Sequence, residues 1–398
     1  MERVIYMKNF SNYTDYSKKE NLSFDSKAVH GALGCEPVTG AVSFPIFQSS
    51  TFRHPELGKS TGFDYSRLAN PTRQELERTL AILEEGEYGF CFSSGQAANM
   101  AVFTWLNTGD HVILMDDIYG GTFRIVTQIF GKYGIEYDFV DLSELDKVKA
   151  AIKPNTKMIF IETPSNPLMK VADIRVLSDI AHEIGAIAVV DNTFLTPYFQ
   201  KPLTLGADVV VHSATKYLGG HNDIIAGAVV VRDEELAEHF KLQLKSHGNG
   251  LAPMDSWLML RGIKTLHLRM ERHNSNAMKV SEWLRNHPKV EKVYYVGFPD
   301  HKDYDVTISQ TTGFGGMISF AVDSEETVKK ILKNVDMIMF AESLGGTETL
   351  ITYPTTQTHE DTPLDIKERL GITRKFLRIS IGIEDPQDII NDLAQAMS

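Results

Sequence analysis

Two cysteines in 398 residues, Cys35 and Cys91, provide neither a disulfide framework nor metal-ligand spacing. Cys91 stands in the apolar run Gly89-Phe90-Cys91-Phe92, where a buried thiol is expected. Basic residues are in deficit as well. Forty Lys and Arg against 52 Asp and Glu give a net charge of -12, which argues against the basic face a nucleic-acid partner needs. No apolar run approaches the roughly 20 residues that span a bilayer. The stretch Met1 to Glu20 is polar and lacks the apolar centre of a signal peptide. These absences predict a cytoplasmic protein with no nucleic-acid and no membrane partner. The remaining composition is ordinary for a globular chain, 42% hydrophobic and 23% charged. Its length exceeds what one core usually holds, so two domains are expected.

From about residue 75 short apolar runs alternate with helical patterns. Strands are predicted at Gly89–Phe92, His111–Met115, Tyr137–Val140, Lys157–Glu162, Ile187–Asp191, Asp208–His212 and Ala226–Val231. Helices are predicted over Gln74–Glu85, from Gln96, around Thr122–Tyr133 and over Asp173–Ile184. Such alternation predicts an α/β fold whose mostly parallel sheet is covered on both faces. After about residue 255 the pattern changes. One long helical stretch, Asp255–His287, precedes strands at Met317–Val322 and Phe376–Ser380, which predicts a smaller C-terminal α+β domain.

Ligands of open α/β sheets sit at the carboxyl ends of the strands, and here five of these ends carry polar groups. Ser93-Ser94-Gly95-Gln96 opens a helix, where the amides of Gly95 and Gln96 suit a phosphate. Asp116 to Thr122 offers the aromatic face of Tyr119, and Glu162 to Pro167 is a proline-fixed loop expected to expose Asn166. Asp191 ends the fifth predicted strand, and Ser213-Ala214-Thr215-Lys216 follows the sixth. Each motif alone has a plain reading as a helix cap, a loop or a surface charge. Together, an amine at one strand end and an acid at the next are what pyridoxal 5'-phosphate (PLP) requires: Lys216 for the aldehyde, Asp191 for the pyridine nitrogen. Ser213 and Thr215 would join Gly95 and Gln96 at the phosphate. Tyr119 would stack on the ring and serve as acid or base. A dinucleotide site is the competitor, but no Gly-x-Gly-x-x-Gly turn follows a strand, and Gly313-Phe314-Gly315-Gly316 precedes one.

The run Asp208-Val209-Val210-Val211-His212-Ser213-Ala214-Thr215-Lys216-Tyr217-Leu218-Gly219-Gly220-His221 resembles the signature of the Cys/Met-metabolism family of PLP enzymes. Tyr65-Ser66-Arg67, Asn70-Pro71-Thr72, Ser343-Leu344-Gly345-Gly346 and Arg378 to Glu384 are similar to the same family, so the likeness runs from about Ser26 to the C-terminus. The resemblance implies the PLP-dependent transferase fold of type I and a homotetramer built from two active dimers. It further implies an N-terminal arm over residues 1–62 that contributes to the neighbouring subunit, a PLP-binding large domain over 63–255 and a small domain over 256–398. Tyr65 and Arg67 match residues that reach the neighbour's cofactor phosphate. Arg378 matches the residue that grips the substrate α-carboxylate, assisted by Ser343 and Asn166.

Members of the family remove a Cα proton and then a Cβ proton, so that the γ-substituent departs. Gly121 occupies the position where methionine γ-lyases carry cysteine, which counts against methionine as substrate. Glu342 and Asp64 match acidic positions of cystathionine-handling members and could receive a distal ammonium. The segments His221-Asn222-Asp223 and Thr352 to His359 are similar to those of synthase-type members. The resemblance therefore implies γ-replacement on an O-acyl-L-homoserine by cysteine, or by sulfide, as the first expectation. Cystathionine γ-lyase activity is the alternative.

Overall fold

The computed structural model describes residues 22–36, 38–357, 360 and 363–398. Residues 1–21 of the expected arm, and Thr358-His359 of the C-terminal match, lie outside these. Seven strands form the larger sheet: β1 Tyr88–Phe92, β2 His111–Met115, β3 Glu136–Val140, β4 Thr156–Glu162, β5 Ile187–Asp191, β6 Val209–His212 and β7 Gly227–Val231. Their order is β1-β7-β6-β5-β4-β2-β3. The five strands from β6 to β3 pair in parallel, while β7 runs antiparallel to both β6 and β1. The reversal has a local cause. The link from Ser213 to Ala226 is built of turns and carries no crossover helix, so the chain must return beside the strand it left. Lys216 sits in that link.

Alternation along the strands feeds two cores, as the period of two demands. Val209 and Val211 of β6 join a core with Ile113 and Phe160, whereas Val210 packs with Leu76, Leu80 and Met259 on the other side. The helix Gly95–Phe103 crosses from β1, and Pro71–Leu83 packs against β1 and β7. The helix expected around Thr122–Tyr133 is irregular. An α-helical turn at Gly120–Arg124 widens into a π turn at Ile125–Ile129 and tightens to 3₁₀ geometry at Phe130–Tyr133, ending on Gly134 at φ 78°.

The long helical stretch is two helices, Pro253–Ile263 and Leu266–Arg285. The break is caused by packing. Gly262 lies against the backbone of Gly219, where a Cβ would come within 2.3 Å of the Gly219 carbonyl. The Gly262 carbonyl accepts from Arg269 Nη2 at 2.8 Å, and Arg269 Nη1 donates to the Tyr217 carbonyl at 2.7 Å. One arginine thus ties both helices to the turn that follows Lys216. Beyond it lies the smaller sheet, of β8 Val290–Tyr294, β9 Met317–Val322, β10 Met339–Phe340, β11 Leu350–Thr352 and β12 Phe376–Ser380, in the order β10-β11-β12-β9-β8. It has its own core around Ile318, Phe320, Leu377 and Ile379. Both expected strands of this part, β9 and β12, occur at the predicted residues.

Candidate active site

Lys216 is fixed from below. Ala214 and Tyr217 are fully buried, the Lys216 amide donates to the Ser213 carbonyl at 3.1 Å, and the Gly220 amide donates to the Lys216 carbonyl at 2.8 Å. The side chain therefore leaves a rigid turn and enters a cleft of about 460 Å³ between the two sheets. Its Nζ donates to Ser343 Oγ at 2.8 Å. Burial disfavours the ammonium and lowers its pKa to about 8; the nearby Arg378 charge adds to the shift, and Glu342 opposes it. An amine shielded from water that loses its proton near neutrality suits a Schiff-base lysine.

One end of the cleft is built for an anion. Ser94 Oγ accepts from the Ala97 amide at 3.1 Å and its carbonyl accepts from the Ala98 amide at 3.1 Å. That leaves the Gly95 and Gln96 amides at the helix start without intrahelical partners, with the helix dipole behind them. A Cβ on Gly95 would lie 2.9 Å from Ser213 Oγ, so glycine is what lets these two expected phosphate contacts meet. The Ser213 amide is held by Thr193 Oγ1 at 2.8 Å. Thr215 differs from expectation in one respect. Its hydroxyl donates to the Ala226 carbonyl at 3.1 Å and accepts from the Ala226 amide at 3.0 Å, so a phosphate contact requires it to exchange a partner.

The middle of the cleft holds two acids, the buried Glu162 and the half-buried Asp191. They are directly paired residues at the ends of the parallel strands β4 and β5. Burial raises Glu162 well above the carboxylate range, and the Asp191 charge raises it further. Burial also raises Asp191, opposed by hydrogen bonds from Thr193, whose amide donates to Asp191 Oδ1 at 3.0 Å. Glu162 accepts from the Tyr119 amide at 3.1 Å and the Asn166 amide at 3.0 Å, and so positions both loops. Glu162 is absent from the residues expected at the site. The available signal is a second acid at the strand end beside Asp191. Tyr119 lines the cleft next to it, its phenol pushed up chiefly by burial.

The other end fits a carboxylate. Arg378 lies on β12, flanked on both sides by β11 and β9, and is 1% exposed. Its Nη1 donates to Asn166 Oδ1 at 2.9 Å, and Nη2 donates to the Ser343 carbonyl at 2.9 Å and to Thr352 Oγ1 at 3.2 Å. Nε has no partner among the described residues. Burial lowers the guanidinium to about 10. Asn166 is not the exposed loop residue the prolines suggested. It is 4% exposed, because Arg378 covers it. Ser343 holds φ at 89°, a left-handed conformation that turns its hydroxyl to Lys216 and its carbonyl to Arg378. Glu342 lines the same wall.

Asp64, Tyr65 and Arg67 stay outside the cleft of their own chain. Tyr65 is 44% exposed, and the Arg67 guanidinium lies 5.7 Å from its ring centroid while Nη1 donates to the Lys245 carbonyl at 2.5 Å. Asp64 accepts from Ser60 Oγ at 2.5 Å and lies 3.3 Å from His54. Arg124, Gln357 and Glu360 also line the cleft; no local pattern marks them, and only folding brings them there. Gly121 is packed hard, since a Cβ would lie 2.3 Å from Gln96 Nε2 and 2.6 Å from the Tyr119 ring.

An amine, a cradle of helix-start amides, a strand-end acid, an aromatic face and an arginine fork fit PLP with an amino acid. Comparison with known proteins agrees. The model of the Cys/Met metabolism PLP-dependent enzymes matches residues 25–398. A cystathionine gamma-lyase of Bacillus subtilis is 51% identical, with 93% of this chain and 97% of that protein aligned. A cystathionine beta-lyase of Lactococcus lactis is 48% identical over 94% and 99% of the two chains. A cystathionine gamma-synthase/O-acetylhomoserine (thiol)-lyase of B. subtilis is 47% identical over 91% and 93%. The crystal structure of a cystathionine gamma-lyase from Lactobacillus plantarum complexed with L-serine superposes with a TM-score of 0.92 at 42% identity, covering 94% of this chain and 98% of that one. The chain belongs to the Cys/Met metabolism family of PLP-dependent enzymes.

Proposed function

We propose that this enzyme cleaves the Cγ–S bond of L-cystathionine, turning it with one water into L-cysteine, 2-oxobutyrate and ammonia. The observation that carries the proposal is the cleft wall formed by Glu342 and Ser343 beside Arg378. It offers a carboxylate for a distal ammonium beside the arginine that would grip the α-carboxylate. The 51% identity to a protein named cystathionine gamma-lyase supports the same choice. It weighs lyase chemistry above the γ-replacement expected from the sequence motifs.

PLP would be held by Lys216 through Nζ, by Asp191 at the ring nitrogen, by Tyr119 on the ring face, and by Ser213 with the Gly95 and Gln96 amides at the phosphate. Bound there, it supplies the electron sink that makes the Cα and Cβ protons acidic. Arg378 binds the α-carboxylate through its fork, and Asn166 keeps the fork oriented. Lys216 Nζ, lowered to a pKa of about 8, takes the Cα and Cβ protons in turn and, after the sulfur has left, delivers protons to Cγ and Cβ, since Cα ends as the carbonyl carbon of 2-oxobutyrate. Tyr119, kept protonated by its burial, gives its phenolic proton to the departing sulfur. Glu342 holds the distal ammonium so that the sulfur points at Tyr119. In a tetramer of two active dimers, the exposed Tyr65 and Arg67 would complete the phosphate site of the neighbouring subunit.

A second reading, γ-replacement on an O-acyl-homoserine, is supported by the 47% identity to the synthase/thiol-lyase. Product analysis separates the possibilities. Cystathionine supplied alone should yield 2-oxobutyrate and cysteine. Pyruvate and homocysteine would instead identify β-cleavage.

A further inference from the structure

β2 and β4 are parallel neighbours, so the loops that leave their carboxyl ends lie side by side. Asp116 and Asp117 open the first loop, which leads to Tyr119, and residues Thr163 to Lys170 form the second, which carries Asn166. Asp117 is 1% exposed and lies outside the residues that line the cleft. Its Oδ2 accepts from Ser165 Oγ at 2.5 Å and from the Leu168 amide at 3.3 Å. The Ser165 hydroxyl, fully buried, accepts in turn from the Lys170 amide at 3.0 Å. Asp116 takes the end of the same loop: Lys170 Nζ lies 2.7 Å from Asp116 Oδ1 and 2.9 Å from Asp141 Oδ2. Burial raises the Asp117 carboxyl to about 6, and above that pH the group only accepts.

Asn166 lies between these ties. Its own amide donates to Glu162 at 3.0 Å, while Ser165 and Leu168 on either side of it are held by Asp117. Ser319 Oγ donates to the Pro167 carbonyl at 2.7 Å, and Ser319 is the β9 residue paired with Arg378. Asn166 Oδ1 therefore meets Arg378 Nη1, at 2.9 Å, from a backbone tied by three side chains. A guanidinium grips a carboxylate through a planar fork, so the direction of the fork matters as much as its charge. If Asn166 shifts, Nη1 is left as a buried donor short of an acceptor, and the fork turns to find one.

We infer that Asp117 is a positioning residue for substrate binding: by holding Ser165 and Leu168 it fixes Asn166, and through Asn166 it aims Arg378 at the α-carboxylate. This rests on Arg378 being the carboxylate site, and not on the choice between lyase and synthase. The Tyr119 amide keeps its bond to Glu162 when Asp117 is lost. Replacement of Asp117 therefore alters the grip on the carboxylate and leaves the ring face and the amine of Lys216 as they were.

The test uses the PLP-loaded enzyme and two ligands that differ only in the carboxylate, L-alanine and ethylamine. Each is titrated by the change it causes in the visible absorbance of the bound cofactor. The native enzyme should prefer L-alanine. In Asp117→Ala the dissociation constant for L-alanine should rise on the order of tenfold while that for ethylamine stays the same, so the preference shrinks by that factor. Two constants that move together report a general loss of structure, and two that do not move report no role at all; either result overturns the inference. If Asp117→Ala does not fold, Ser165→Ala removes one of the two donors that Asp117 holds and is read by the same ratio. An unchanged preference there overturns the inference equally. Arg378→Ala separates the layers: it should abolish the preference, and a preference that survives removes Arg378 from the carboxylate and the inference with it.

Discussion

Lys216 and Arg378 are joined by a single residue: Ser343 accepts from Lys216 Nζ through its hydroxyl at 2.8 Å and from Arg378 Nη2 through its carbonyl at 2.9 Å. The amine of the large sheet and the guanidinium of the small one are therefore set at a fixed separation by one left-handed residue. The proposed proton transfer at Cα uses both, Arg378 to bind the carboxylate and Lys216 to move the proton.

Arg378→Ala removes a buried charged donor facing the carboxylate. KM for cystathionine should rise about 100-fold, while the visible absorbance of bound PLP persists. Loss of that absorbance would instead assign Arg378 to the cofactor. Steady-state kinetics with an absorbance spectrum decides this.

The lowered pKa of Lys216 has a sign that can be measured on the apo-enzyme. Burial disfavours the ammonium, so the reactive amine accumulates as pH rises through about 8. The rate of PLP uptake should climb through that region and then level off. Because the folded chain releases this proton earlier than the unfolded one, the same group should make the apo-enzyme more stable as pH rises from about 8 toward the ordinary lysine value of 10.5. Glu342→Gln, which removes a supporting negative charge, should shift the uptake curve to lower pH.

Gly121 sits where a Cβ would strike Gln96 and Tyr119. Gly121→Cys should weaken PLP binding and lower kcat by about tenfold or more, since both neighbours line the cofactor end of the cleft. A fully active Gly121→Cys variant would contradict the close packing.

Mixing a Tyr65→Phe or Arg67→Ala variant with a Lys216→Ala variant should restore activity through hybrid dimers carrying one intact site. No recovery after subunit exchange, checked by activity assay, counts against the cross-subunit role of these two residues.

Much of the cleft is legible from strand ends. β2 and β5 occur at the predicted residues, and Gly95, Tyr119, Asn166, Asp191 and Lys216 converge because each follows or ends a strand of one sheet. What is hidden depends on distant packing. The helix break at Lys264-Thr265 arises from Arg269 reaching back to Gly262 and across to Tyr217, which no local propensity encodes. The reversal of β7 comes from a link without a crossover helix. Asn166 is buried by an arginine 212 positions away, and Glu84 meets His212 across 128 positions. Asp64, Tyr65 and Arg67 resemble their family counterparts in sequence, yet one chain alone leaves them at its surface.

The most direct test is a competition in one enzyme preparation. Initial rates are measured for cystathionine alone, giving cysteine and 2-oxobutyrate, and for O-acetyl- or O-succinyl-homoserine with cysteine, giving cystathionine. A kcat/KM for cystathionine cleavage that exceeds the value for either replacement reaction is the predicted result. Faster formation of cystathionine than its cleavage would contradict the assignment to γ-elimination.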